Sequence, residues 1–222
     1  MLTLTDISYA RDGRQILDKV NLQAQAGETL SINGPSGSGK STILKIIAQL
    51  LNQDSGTVNY QGRPAQSYDY QHYRQEISYC VQNPLLFGKT VRDNFAFVAE
   101  VQQKPLDDSR IDQLKAALGL GHLADDQAVE SLSGGERQRL ALIRHLLFPP
   151  KILLLDEVVS SLDETSAKAV WDLVLAEVDR SDILAIWISH RPEDQKLADR
   201  SLYLVDGHLQ EGGLLDGART HD

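Results

Sequence analysis

The chain holds a single cysteine, so no internal disulfide can staple it. Cys80 sits in the apolar run Ile77-Ser78-Tyr79-Cys80-Val81, which predicts a buried, reduced thiol in a cytosolic protein. Long hydrophobic runs are missing as well. The longest clean ones, Ile152–Leu155 and Ile183–Ile188, fall far short of the ~18 apolar residues that a membrane span needs. The start, Met1-Leu2-Thr3-Leu4-Thr5-Asp6, has neither a positive n-region nor an apolar h-region, so no signal peptide is expected. Positive charge is in deficit: 22 basic against 31 acidic residues leave a net charge of −9. That balance suits neither nucleic acid nor an anionic membrane surface unless one face is locally basic. The 6 histidines are not paired at helical ligand spacing, and with one cysteine a structural zinc site is not expected. What is present, 41% hydrophobic and 24% charged residues over 222 positions, supports a sizeable core and excludes wholesale disorder. Composition therefore implies a soluble, acidic, globular protein and leaves its activity open.

Period-two patterns fill the first 33 residues: Leu2/Leu4, Ile7/Tyr9, Val20/Leu22/Ala24 and Leu30/Ile32, broken by Asp12-Gly13 and Gly27. They predict short antiparallel strands. Residues 42–51 turn helical, with Ile43, Leu44, Ile46, Ile47, Leu50 and Leu51 covering most of the circumference, as in a largely buried helix. Gly56–Tyr60 and Ile77–Val81 read as further strands, and about 84–150 as a helix-rich stretch ended by Pro149-Pro150. The runs at 152–155 and 183–188 fit parallel strands buried on both faces. Between them Ala167, Val170, Trp171, Val174 and Val178 form one helical stripe, completing a βαβ unit. Leu202/Leu204, Asp206-Gly207 and Leu209 predict a closing hairpin. No repeat, low-complexity tract or linker is visible. Little structured chain is expected after about residue 212, and no appended regulatory domain.

Gly34-Pro35-Ser36-Gly37-Ser38-Gly39-Lys40-Ser41 fits G-x-x-x-x-G-K-[ST]. Glycines let successive N–H groups curl into an anion nest, and the following helix turns its N-terminal dipole to the phosphates. Lys40 brings a point charge to the β- and γ-phosphates, and the Ser41 hydroxyl is placed to hold Mg²⁺. A Gly/Ser turn before a helix is the plainer alternative, but a strand before the loop and a helix after it are what the nucleotide mechanism demands. Such a loop alone does not separate ATPases from small-molecule kinases or GTPases.

Lys151-Ile152-Leu153-Leu154-Leu155-Asp156-Glu157 is an apolar strand ending in two acids. Beside a phosphate loop, Asp156 is placed to serve Mg²⁺ and Glu157 to polarise an attacking water. Side chains alternate along a regular strand, which would let the two acids serve different partners. Leu132-Ser133-Gly134-Gly135-Glu136 opens another helix, with Ser133 and Glu136 spaced as a capping box. Two glycines in a first turn cost about 1 kcal/mol each against alanine, so a mere cap would not choose them. Bare N–H groups beside a serine hydroxyl suit a γ-phosphate, and both readings can hold together.

With these motifs in this order, nearly the whole chain resembles the ATP-binding cassette (ABC) ATPases. Gly34–Thr42 resembles the family's Walker A loop, Leu132–Glu136 its LSGGQ signature with Glu in the last place, and Ile152–Glu157 its Walker B strand. Gln82 is similar to the Q-loop glutamine, Ser160-Ser161-Leu162-Asp163 to the D-loop, and His190 after Ser189 to the switch histidine. The signature is close to unique to this family, which sets kinases and GTPases aside. The resemblance implies an α/β fold of the P-loop NTPase, ABC type: a mainly parallel core sheet, an N-terminal antiparallel β subdomain and a helical subdomain at about 84–150, in one ATPase domain over 1–222.

It also implies that ATP is sandwiched between the Walker A loop of one subunit and the signature of another. Ser41, Gln82 and Asp156 would attend Mg²⁺, Glu157 would be the catalytic base, and His190 would contact the γ-phosphate and the water. Ser133, Gly134 and Gly135 would reach the γ-phosphate across the dimer, and Tyr9, ending the first strand, would stack on adenine. A half-buried strand tyrosine is the alternative for Tyr9. Val158-Val159 stand where the family usually has Pro-Thr, Ser161 where Ala is common, and Arg191 where Asp is frequent. None removes a ligand, though communication through the D-loop is open to change.

The implied partners are a second ATPase subunit, a copy or a relative, and an integral membrane permease, which would hold the chain at the cytoplasmic face of the plasma membrane; nucleic acid is not expected. Pro84–Asn94 resembles the post-Q-loop stretch of exporters. Tyr73–Cys80 through Asn94, with Leu142-Ile143-Arg144, resembles the stand-alone ATPase of bacterial iron-export systems. Two other readings stand beside this one: a soluble ABC ATPase outside transport, and a degenerate cassette that only binds nucleotide. The first usually carries tandem cassettes, coiled-coil insertions or basic faces, none visible here. Intact Lys40, Asp156, Glu157 and His190 argue against the second.

Overall fold

The computed structural model describes residues 1–212; the expectation about the chain after about residue 212 concerns 213–222, which lie outside the described residues. Two sheets carry the fold. β1 (Leu2–Arg11), β2 (Arg14–Ala24), β4 (Ser55–Tyr60) and β5 (Arg63–Pro64) form an antiparallel sheet in the order β2-β1-β4-β5. β3 (Thr29–Asn33), β6 (Ile77–Cys80), β7 (Ile152–Asp156), β8 (Leu184–Ile188), β9 (Arg200–Val205) and β10 (His208–Glu211) form the second, ordered β10-β9-β3-β8-β7-β6. It is parallel except for the β9–β10 hairpin, where Asp206 (φ 49°) and Gly207 (φ 80°) make the two-residue turn that the Asp-Gly pair predicts.

The antiparallel reading of the first 33 residues needs one correction. β3 lies in the parallel sheet between β9 and β8, and all five of its residues are buried. Its polar positions do not face water. Thr29 bonds Asp199, Ser31 lies 2.9 Å from Ser201 Oγ, and Asn33 donates to Ser31. Alternation of apolar and buried polar residues thus imitates a half-exposed strand.

The parallel strands divide their side chains between two cores. Leu153, Leu155, Ala185 and Trp187 face one that includes α6 (Glu164–Ser181) and α5 (Gly134–Leu146); Ile152, Leu154, Ile186 and Ile188 face the other, shared with the antiparallel sheet and α1 (Lys40–Ile47). The α6 stripe of Ala167, Val170, Trp171, Val174 and Val178 is buried as expected, and β7-α6-β8 is the βαβ unit. After α2 (Tyr70–Glu76), which precedes β6, three α-helices occupy the region predicted helix-rich: α3 (Val91–Gln102), α4 (Asp108–Ala117) and α5.

α1 is shorter than its periodicity suggests. It ends at Ile47, Gln49 turns to φ 52°, and Leu50 is 51% exposed. Cys80 is a buried free cysteine whose thiol is pushed up by burial. Among the described residues no helix is long and apolar enough to cross a membrane.

Candidate functional site

The loop 34–39 leaves β3 and enters α1 at Gly39, which sits at φ 105°. A Cβ there would lie 2.8 Å from Ile16 Cγ2, so both conformation and space demand glycine. Lys40 is buried, and its ammonium donates to the carbonyls of Gly34 (2.9 Å) and Pro35 (2.8 Å). Burial lowers its pKa, opposed by the carboxylates of Glu157 and Asp156. The Ser38 hydroxyl is buried, with no hydrogen-bond partner among the described residues. A cavity of about 370 Å³ opens beside Pro35–Ser38, bordered also by Arg14, Gln15 and Ile16 of β2. No sequence motif points to β2 as part of this site. Tyr9 is half-buried against the N-terminal core; β1 continues two residues past it, pairing Tyr9 with Leu17.

The two acids after β7 point to different partners. Asp156 is 8% exposed; its Oδ1 accepts from Ser41 Oγ (2.9 Å) and its Oδ2 from Tyr79 O–H (2.6 Å). Glu157 then breaks the strand with φ 52°, an uncommon conformation for a residue with a side chain. Its N–H donates to Ile188 O (3.2 Å), and its carboxylate turns toward Gln82 and His190. Gln82 Nε2 donates to Glu157 Oε2 (3.1 Å) and Ser160 Oγ (3.2 Å), while His190 Nε2 lies 3.0 Å from Glu157 Oε1. The separation of roles expected from strand alternation therefore comes from a turn. Gln82 is brought to Glu157, and its hydrogen bonds do not run to Ser41 or Asp156.

The loop of His190 is braced from behind. Ser189 Oγ donates to Asp194 Oδ2 (2.6 Å) and accepts from Arg191 N–H, and Arg191 pairs with Glu193 at 2.8 Å. Val158 and Val159 are buried in the helical-side core, and Asp163 caps α6 at Ser166 N–H. Ser133 caps α5 with the reciprocal box read from the sequence: Glu136 Oε2 accepts from Ser133 N–H (2.8 Å) and Oγ (2.7 Å). Those bonds, with His122 Nε2 at 2.9 Å, hold the Glu136 carboxyl down at about 2. Gly134 is exposed and a Cβ on it would meet nothing, so this helix start is open.

Two residues that the motifs did not mark also join the site. Tyr79 supplies the second donor to Asp156. Gln138 of α5 donates to the Gln82 carbonyl (3.2 Å) and accepts from Ser161 Oγ (2.6 Å), tying the signature helix to both loops. Either reads locally as an ordinary strand or helix residue; only the fold reveals the partner.

The donor set fits a hard divalent cation. Ser41 and Asp156 bring a hydroxyl and a carboxylate together, and Mg²⁺ favours oxygen ligands from one or two carboxylates plus substrate phosphates. Among the described residues no cluster of three or more His, Cys, Asp or Glu could hold a metal by protein side chains alone.

Comparison with known proteins shows the family. Residues 17–160 match the ABC transporter family. The chain is 37% identical over 213 residues to the probable iron export ATP-binding protein FetA of Escherichia coli (strain K12), covering 95% of each chain. It is 35% identical to the putative ABC transporter ATP-binding protein YjkB of Bacillus subtilis (strain 168), covering 92% of this chain and 82% of that one. A solved bacterial Atm1-family ABC exporter with ATP bound superposes with a TM-score of 0.85 at 27% identity, over 96% of this chain and 38% of the exporter chain. The chain belongs to the ABC transporter family, as an ATP-binding, ATP-hydrolysing subunit.

Proposed function

We propose that ATP is hydrolysed between two cassettes, with Glu157 as general base. The observation that carries this is the Glu157 carboxylate held between Gln82 and His190, at the end of the strand that also delivers Asp156. Lys40, desolvated and bonded to the loop carbonyls, turns its donors from them to the β- and γ-phosphates, together with the N–H groups of 34–42. Ser41 and Asp156, assisted by Gln82, hold Mg²⁺, which when bound neutralises charge developing on the phosphate oxygens. Glu157 takes a proton from the attacking water, and His190 orients that pair and donates toward the γ-phosphate. Tyr9 stacks on adenine. The open start of α5, with Ser133, Gly134 and Gly135, binds the γ-phosphate of a partner cassette, so two chains complete two sites.

The transport reading is export, with iron or a related metal as cargo. Its support is the near full-length similarity to an iron export ATP-binding protein, together with the exporter-like stretch Pro84–Asn94. A permease embedded in the membrane supplies the path and holds this chain at the cytoplasmic face. A groove of about 570 Å³ between Tyr79–Phe87 and α3 suits its docking: Leu85 is 82% exposed, and Phe87, Phe97 and Val101 are exposed beside it. The test is co-purification with a multi-span membrane protein, followed by reconstitution in vesicles. ATP-dependent iron movement that stops with Glu157→Gln supports the reading. A purified dimer with full ATPase activity and no membrane partner would favour the soluble alternative.

A further inference from the structure

Tyr79 stands on β6 opposite Leu154 of β7, two residues before Asp156. Leu154 and Asp156 share a face of their strand, separated by about 6.6 Å of rise, so only a long side chain spans from the level of Leu154 to the carboxylate. Tyr79 does so, and its O–H reaches Asp156 Oδ2 at 2.6 Å. The other oxygen, Oδ1, is held by Ser41. Ser41 is itself read as a ligand of the cation, which leaves Tyr79 as the donor not shared with it. The carboxyl torsion of an aspartate is soft, and a buried oxygen stripped of its donor carries a desolvation cost.

We propose that Tyr79 is a positioning residue for Asp156, fixing the plane of the carboxylate that binds the divalent cation. This rests on the reading of Ser41 and Asp156 as cation ligands. Partners of this kind typically change metal affinity about 10- to 100-fold when removed.

The test is Tyr79→Phe, which keeps the ring and deletes only the hydroxyl. Binding of a fluorescent ATP analogue to the full chain is measured in EDTA and across a Mg²⁺ titration, with Asp156→Asn alongside. The expected result is a Mg²⁺ concentration at half-effect raised about 10-fold in Tyr79→Phe, with affinity in EDTA unchanged. If Asp156→Asn shifts the titration and Tyr79→Phe does not, the role of Tyr79 is overturned and the ligand assignment stands. If neither shifts it, the ligand assignment fails and the Tyr79 role with it. Loss of binding in EDTA by Tyr79→Phe would also overturn the proposal, since it would make Tyr79 a support for the whole nucleotide pocket. The ring also lines the apolar groove. A role confined to that lining predicts no effect of the variant on the titration.

Discussion

His190 Nε2 faces Glu157 Oε1 at 3.0 Å, from a loop 33 residues further along the chain. The pairing depends on Glu157 leaving β7 with φ 52°, since a continued strand would carry its side chain elsewhere. The Ser189–Asp194 bond braces the loop that carries the imidazole.

His190→Ala is expected to lower ATP turnover by about 10²-fold while leaving ATP affinity within a few fold of the parent. Steady-state hydrolysis beside equilibrium nucleotide binding checks this. A parallel fall in both would make His190 a binding residue instead.

Lys40→Ala removes the cation from the glycine nest. Hydrogen bonds to charged groups contribute about 1.5–3 kcal/mol, so ATP affinity should fall by about 10- to 100-fold. Calorimetric titration reads the change directly. Thermal stability should hold or rise, because the folded chain no longer desolvates an ammonium.

Much of the site was legible because its chemistry is written in local residue type. A loop that needs N–H groups and left-handed backbone must be glycine-rich, as Gly39 shows, and an acid pair after an apolar run marks a strand end. The same locality explains what was missed. Tyr79 and Asp156 are 77 residues apart, and Gln138 and Gln82 are 56 apart. Nothing in Ile77–Val81 or in Gly134–Leu146 distinguishes Tyr79 or Gln138 from ordinary strand and helix residues. The Leu30/Ile32 alternation points the other way, since the polar residues between and after them, Ser31 and Asn33, are buried inside the fold yet look solvent-facing in the sequence. Leu50 read as core because periodicity alone cannot see that the helix ends at Ile47.

His145 provides a pH test of stability. Its Nδ1 lies 2.6 Å from Ser78 Oγ, and burial, with the Arg144 charge beside it, lowers its pKa to about 3. A histidine depressed in the folded state binds its proton more readily when unfolded. Its neutral form costs nothing above about pH 6.5, and stability falls as pH drops from there toward 3. His145→Asn keeps an acceptor near Ser78 and does not titrate. The unfolding midpoint should therefore fall less for this variant than for the parent between pH 7 and pH 5. Equal falls would show that His145 does not contribute.

The proposed mechanism requires Glu157 to remove the proton of the attacking water between two cassettes. Glu157→Gln keeps the size and the contacts to Gln82 and His190 but cannot accept that proton. With ATP and Mg²⁺ present, turnover should fall by at least about 10²-fold, ATP should stay bound, and the chain should run as a dimer in size-exclusion chromatography. Hydrolysis by this variant at the parent rate would exclude Glu157 as the base.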